Sequence, residues 1–262
     1  MMRKQPLALC LIALFALAGV SSAVMTNTSG DQKLVSHGDI LTDPAFLSVG
    51  SILYAPSEAD DVAYRAAISA AAGGATVDYF DARVGTPSVS LLGLYDCVHT
   101  WANYPYADNA TFGNNLAAYV DGGGRVVLGA FCTYTSGNSL AGAIMTPAYC
   151  PVFSPLGNNH FASSSYAGNG TTCIHDGVTA YACVYRDYLV TQGAGLVDGT
   201  YLDGEIGHAY RPGYRVIYSN GSGASALGGT GDWPLLVANA CSCPDPTGTE
   251  EATWGKVKTL FR

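Results

Sequence analysis

Charge is what this chain has least of. Only 12% of its 262 residues are Asp, Glu, Lys or Arg, and 12 basic residues face 20 acidic ones. The formal net charge is -8 and the isoelectric point about 4.9. No basic stripe is available to neutralise phosphates, so no nucleic acid is expected as a partner. Long apolar runs are missing too: beyond the first two dozen or so residues, no stretch is long enough to cross a bilayer as a helix. The cysteines include no C-x-x-C pair and no histidine grouped with them in a zinc-ligand pattern, which argues against a zinc site. Neither a metal nor another cofactor is expected.

The first residues carry a different signal. Arg3 and Lys4 precede the apolar run LALCLIALFALAGV, and Val20-Ser21-Ser22-Ala23 supplies small residues suited to cleavage. Residues 1–23 therefore read as a secretory signal peptide, cut after Ala23, and the expected location is secreted or cell-envelope. Cys10 lies inside the run without the small-residue box of a lipoprotein. Loss of Arg3 and Lys4 would bring the net charge to about -10. Seven cysteines remain: Cys97, Cys132, Cys150, Cys173, Cys183, Cys241 and Cys243. Export makes disulfides their default state, and the odd count leaves at least one thiol over. Cys173 and Cys183 flank IHDGVTAYA and are expected to bridge; Cys132 and Cys150 bracket a Gly/Ser-rich loop and are expected to do the same. Cys241 and Cys243 are too close for easy self-pairing, so each needs a remote partner.

Residues 24–49 are polar and irregular, a lead-in to a single domain over 50–243. Ser51–Ala55, SILYA, reads as a first strand. Pro56-Ser57 with Glu58 and Asp60 starts a helix that runs to Gly73-Gly74, and ATVDYFDA is a second strand. Pro87 to Leu94 holds one helical turn before Tyr95. From Tyr95 to Cys132 the pattern is strand, polar loop, amphipathic helix, glycine turn and strand. Phe112, Leu116, Tyr119 and Val120 recur at spacings of three and four, the period of one buried helical face. Gly122-Gly123-Gly124 ends that helix and RVVLGAF is a buried strand. A unit of this kind is a parallel crossover, so the expected fold is α/β, doubly wound, with a mostly parallel sheet. Residues 133–172 read as a long loop insertion over the strand ends, and the C-terminal part as β-rich, closed by the helix Trp233–Ala240.

These segments, SILYA, TVDYFD, YDCVHTW, LAAYVDGGGRVVLGAF and GDWPLLVANA, resemble the class I glutamine amidotransferase-like superfold, in particular its exported ThuA-like relatives. The resemblance covers about residues 50–243. It implies a flavodoxin-like scaffold and directs attention to the cysteine after the fourth strand. In amidotransferases that cysteine sits on a strand-to-helix elbow, Gly-x-Cys-x-Gly, where backbone N–H groups lower its pKa and form an oxyanion hole. A His-x-Glu pair follows downstream. Here the text is Gly129-Ala130-Phe131-Cys132-Thr133, the glycine spacing is off by one, and no His-x-Glu occurs. Candidates for any catalytic role are Cys132, His175, His208 and Glu205. The catalytic triad is not intact, and a non-catalytic domain is the leading expectation. A secreted hydrolase using Cys132 with His175 or His208 is the alternative; a disulfide-stabilised structural envelope protein is another.

Ligands of doubly wound sheets bind outside the carboxyl ends of the strands. The loop HTWANYPYAD follows the third strand, so His99, Trp101, Asn103, Tyr104 and Tyr106 are candidate contacts for a carbohydrate or other polar small molecule. The opposing reading has Trp101 and Tyr104 packed beneath the insertion. Asp198, Asp203 and Glu205 stand beside glycines and read as turn residues rather than calcium ligands. After a linker at 244–252, the tail 253–262 places Trp254, Val257, Leu260 and Phe261 at helical spacing among Lys256, Lys258 and Arg262. It is expected to be an attachment or sorting signal for an envelope or secretion partner.

Overall fold

The structure, a computed structural model, describes residues 49–157 and 159–244. The expected signal peptide, linker and tail, and almost all of the lead-in, lie outside the described residues. The parallel part of the central sheet comprises β1 (Ser51–Tyr54), β2 (Thr76–Tyr79), β3 (Cys97–Thr100), β4 (Val126–Gly129) and β11 (Val216–Ser219). Two antiparallel strands, β10 (His208–Tyr210) and β9 (Leu196–Val197), complete one edge. The seven lie in the order β2-β1-β3-β4-β11-β10-β9. The expected α/β sheet of mostly parallel strands is present.

Helices cover both faces, which is why β3, β4 and β11 are buried along their whole length rather than at alternate residues. Helices α1 (Val62–Ala71) and α4 (Trp233–Ser242) cover one face, around Ile52, Tyr54, Cys97, Val127 and Ile217. Helices α2 (Val89–Leu92) and α3 (Asn109–Asp121) cover the other, around Leu53, Val98, Leu128, Val216 and Tyr218. In α3 the side chains of Phe112 and Leu116 are buried as the periodicity requires, each worth about 2 kcal/mol of apolar burial. Asp108 caps the helix by accepting from Thr111 N at 2.9 Å. Leu116→Ala would open a cavity costing about 2–5 kcal/mol.

The insertion is more regular than its sequence suggests. Besides β5 (Val152–Phe153) it holds β6 (Asn159–Ser165), which pairs with β7 (Tyr181–Asp187); β12 (Thr230–Gly231) joins them in a three-stranded antiparallel sheet. NHFASSS is nearly all polar and gives no alternation to read; its strand state comes from the partner. β5 pairs separately with β8 (Val190–Thr191).

The disulfide expectations are corrected. The bonds join Cys97 to Cys241 and Cys173 to Cys243, leaving Cys132, Cys150 and Cys183 as buried thiols. Cys183 points inward from β7, its Sγ 3.7 Å from Leu227 O, whereas Cys173 lies on a 3-10 turn beside the end of α4. Cys132 is held in the core by Tyr106 and Thr100. Both bonds staple the last turn of α4, across sequence separations of 144 and 70. The remote partners expected for Cys241 and Cys243 are therefore Cys97 and Cys173. Arg125, at the start of β4, reinforces the same helix end by donating to the carbonyls of Ala240 and Cys243.

Candidate functional site

The carboxyl ends of β1, β3, β4 and β11 form one edge, where the segment after β3 and Cys132 after β4 lie. Cys132 follows β4. It is fully buried, its Sγ 3.5 Å from the Tyr106 hydroxyl, and Tyr106 pairs with Thr100 Oγ1 at 2.9 Å. Burial pushes the thiol up to about 12, opposite to what a nucleophile needs. It packs in the core under α2 and α3.

His175 and His208 belong to the opposite face, against Tyr181 and Trp233. Their rings lie 5.0 Å apart, edge to face. His175 Nδ1 pairs with Asp198 Oδ2 at 2.8 Å, and Asp198 also accepts from Thr171 N, Thr172 N and Thr172 Oγ1. Burial raises the Asp198 carboxyl, but His175 and the threonine donors together outweigh it and hold the group well below the usual carboxylate range. Gly199, at φ +90°, lets the backbone pass so close that a Cβ there would stand 2.7 Å from His175 Nε2. His208 shares a hydrogen bond of 3.2 Å with the Tyr181 hydroxyl; burial drives its pKa well below 6.5. Tyr166 stacks on both His175 and Tyr181. Glu205 is turned elsewhere: its Oε1 lies 3.8 Å from His160 Nδ1.

The structure thus unites His175 with His208 on the face opposite Cys132, while Glu205 turns to His160. Asp198 reads from sequence as a turn residue; its pairing with His175, 23 residues away, carries no local signal. Asp203 is likewise engaged, in a bidentate pair with Arg186.

The end of β3 and the loop after it divide in two. His99, Trp101 and Tyr106 are buried: His99 Nδ1 is 3.1 Å from Val127 O, and Trp101 Nε1 donates to the Tyr54 hydroxyl. These three hold the loop from within. Asn103 and Tyr104 face outward, Tyr104 with 50% of its surface exposed. Asn103 Nδ2 donates to Glu58 Oε2 at 2.7 Å, and the Arg83 guanidinium lies over the Tyr104 ring at 5.8 Å. Arg83 is itself gripped by Asp81 in a two-point ion pair.

A second polar knot lies under the rim. Asp187 is fully buried and accepts from Thr133 Oγ1 and, at 3.3 Å, from the Tyr218 hydroxyl, while its Oδ1 has no partner. Burial pushes this carboxyl up to about 7. Asn220 clamps the backbone of Asp187 from both sides, at 2.8 and 2.9 Å.

No family profile and no curated protein matches the chain. Solved structures do. A cytoplasmic protein from Salmonella typhimurium superposes with a TM-score of 0.54 at 13% identity, covering 74% of this chain and 99% of its own. A GMP synthase-type protein from Thermoplasma acidophilum gives 0.49 at 9% identity, over 80% and 98%. A ThuA-like protein from Bacteroides uniformis gives 0.41 at 13%, over 76% and 91%. The first likeness is one of fold alone.

Proposed function

We propose that this protein is an exported, non-catalytic amidotransferase-like domain that works by binding a carbohydrate or other polar ligand at the carboxyl edge of its sheet. The observation that carries the first half is Cys132. At the place where the resemblance puts a nucleophile, the thiol is enclosed, raised to about 12 and faced by a tyrosine hydroxyl. The candidate imidazoles lie on the other face of the sheet. A nucleophilic thiol needs a base within reach and a route for substrate. Two disulfides and the apolar N-terminal run support export.

The second half rests on the loop after β3, whose buried anchors present Asn103 and Tyr104 at the edge where such folds take ligands. An amide and a half-exposed ring suit a sugar, through hydrogen bonds to hydroxyls and stacking on the C–H face. Calorimetric titration with neutral saccharides and with free glutamine tests both halves. Saccharide binding weakened in Tyr104→Ala, with no ammonia released from glutamine, is the expected outcome. Glutamine turnover, or saccharide binding indifferent to Tyr104, would refute it.

A further inference from the structure

We infer that the ligand of this rim is an extended oligosaccharide, held at a second contact area by the exposed rings of Phe161 and Tyr185. The inference rests on the carbohydrate reading above and names the size of ligand that reading leaves open.

Phe161 on β6 and Tyr185 on β7 are cross-strand partners, so both side chains leave the same face of this strand pair. Their rings meet edge to face at 5.3 Å. Both also pack on Phe131, immediately after the β4 segment, at 6.4 and 6.5 Å. Phe131 is buried and fixes the pair, yet Phe161 keeps 60% of its surface in water and Tyr185 37%. Two adjoining aromatic rings left in water on neighbouring strands form an exposed apolar patch of the kind that marks a contact surface.

The pair is continuous with the rim. Tyr134 packs on Phe131 at 5.8 Å, Gly137 lies against the Tyr134 ring, and the next residue, Asn138, donates to Asn103 O at 2.7 Å. The path from Tyr104 to Phe161 therefore runs past the amides of Asn103 and Asn138 to the half-buried Tyr134 ring, with Phe131 buried beneath it. Charges beside the strand pair are already matched: Arg186 pairs with Asp203, and His160 stacks on Tyr188 with Glu205 at 3.8 Å. An ionic ligand finds little to meet here. A neutral chain of pyranose rings, with apolar faces and hydroxyl edges, meets both components along its length.

The test is calorimetric titration of the full protein with cello-, malto- and chito-oligosaccharides, from monosaccharide to hexasaccharide. Wild type, Tyr104→Ala and the double variant Phe161→Ala/Tyr185→Ala are compared, with sedimentation as a check on association. Affinity should rise with chain length, and the double variant should weaken binding of the long chains roughly tenfold while leaving the short ones unchanged. Both substituted rings are exposed, so the fold is retained. Binding that depends on Tyr104 but not on chain length or on the ring pair overturns the inference and leaves the rim reading standing. Failure of every saccharide overturns both. Self-association of wild type that the double variant abolishes would assign the rings to a second copy and also overturn the inference.

Discussion

The thiol of Cys132 faces the hydroxyl of Tyr106 at 3.5 Å, inside a core lined by Phe112, Thr100 and the apolar residues beneath α3 rather than by an imidazole. This pairing decides between a reactive and a packing role for the cysteine. Cys132→Ser should leave glutamine hydrolysis unchanged, at the blank level also expected of wild type. It should also lower stability by about 1–2 kcal/mol, because a hydroxyl is costlier to bury than a thiol. Ammonia release and urea unfolding measure the two effects. Wild-type turnover lost in the serine variant would restore the catalytic reading.

The two disulfides should dominate the tolerance of α4. Each closes a long loop, and the chain-entropy account gives about 4–5 kcal/mol per bond at such lengths. Reduction should therefore lower the melting temperature by roughly 10 °C or more for a domain of this size. Peptide mapping of the oxidised protein should find Cys97–Cys241 and Cys173–Cys243, with Cys132, Cys150 and Cys183 alkylated only after unfolding. A Cys173–Cys183 or Cys132–Cys150 peptide would overturn the pairing.

Asp187 should make the fold less stable as pH rises. Its folded pKa is raised to about 7, against about 3.8 when unfolded, so the unfolded chain ionises first and folding then carries a growing penalty. The cost is absent below about pH 4 and complete above about pH 7, at about 4 kcal/mol or less. Asp187→Asn keeps an acceptor for Thr133 and Tyr218 but cannot ionise. Its stability relative to wild type should increase from about pH 4 to pH 8. Parallel unfolding curves for the two proteins across that range would show that Asp187 is charged in the folded state without penalty.

The scaffold was legible where local pattern and tertiary role coincide. Phe112, Leu116 and Tyr119 repeat at the helical period because one face of α3 is buried, and the glycines after Asp121 end the helix. β6 was not legible, because a strand whose partner supplies the order needs no alternation of its own. The disulfides were misread for a related reason: proximity along the chain favoured Cys173 with Cys183, while the fold brings the end of α4 to both Cys97 and Cys173. Of the site, the loop after β3 could be located from strand topology alone. The His175–Asp198 pair could not, since its members stand on different elements and each carries a common local explanation.

His99 should set an acid limb opposite in sign to that of Asp187. Its Nδ1 is tied to Val127 O and its Nε2 is buried without a partner, so nothing in the folded protein receives the second proton. Burial lowers its pKa to about 4, against 6.5 when unfolded. A depressed folded value means that the contribution is fully present above about pH 6.5 and is lost as pH falls toward 4, by about 3 kcal/mol. His208, also buried and lowered, acts in the same direction. Because Asp187 opposes them over part of this range, the raw wild-type curve mixes the effects, and the variant difference isolates one. His99→Gln can still donate toward Val127 O but cannot titrate. From about pH 7.5 to 4.5, urea unfolding should show wild type losing up to about 3 kcal/mol more than the variant. An equal loss in both would mean that His99 takes up its proton in the folded protein as readily as in the unfolded chain, and that its enclosure is looser than the packing of Tyr54 and Tyr64 around it requires.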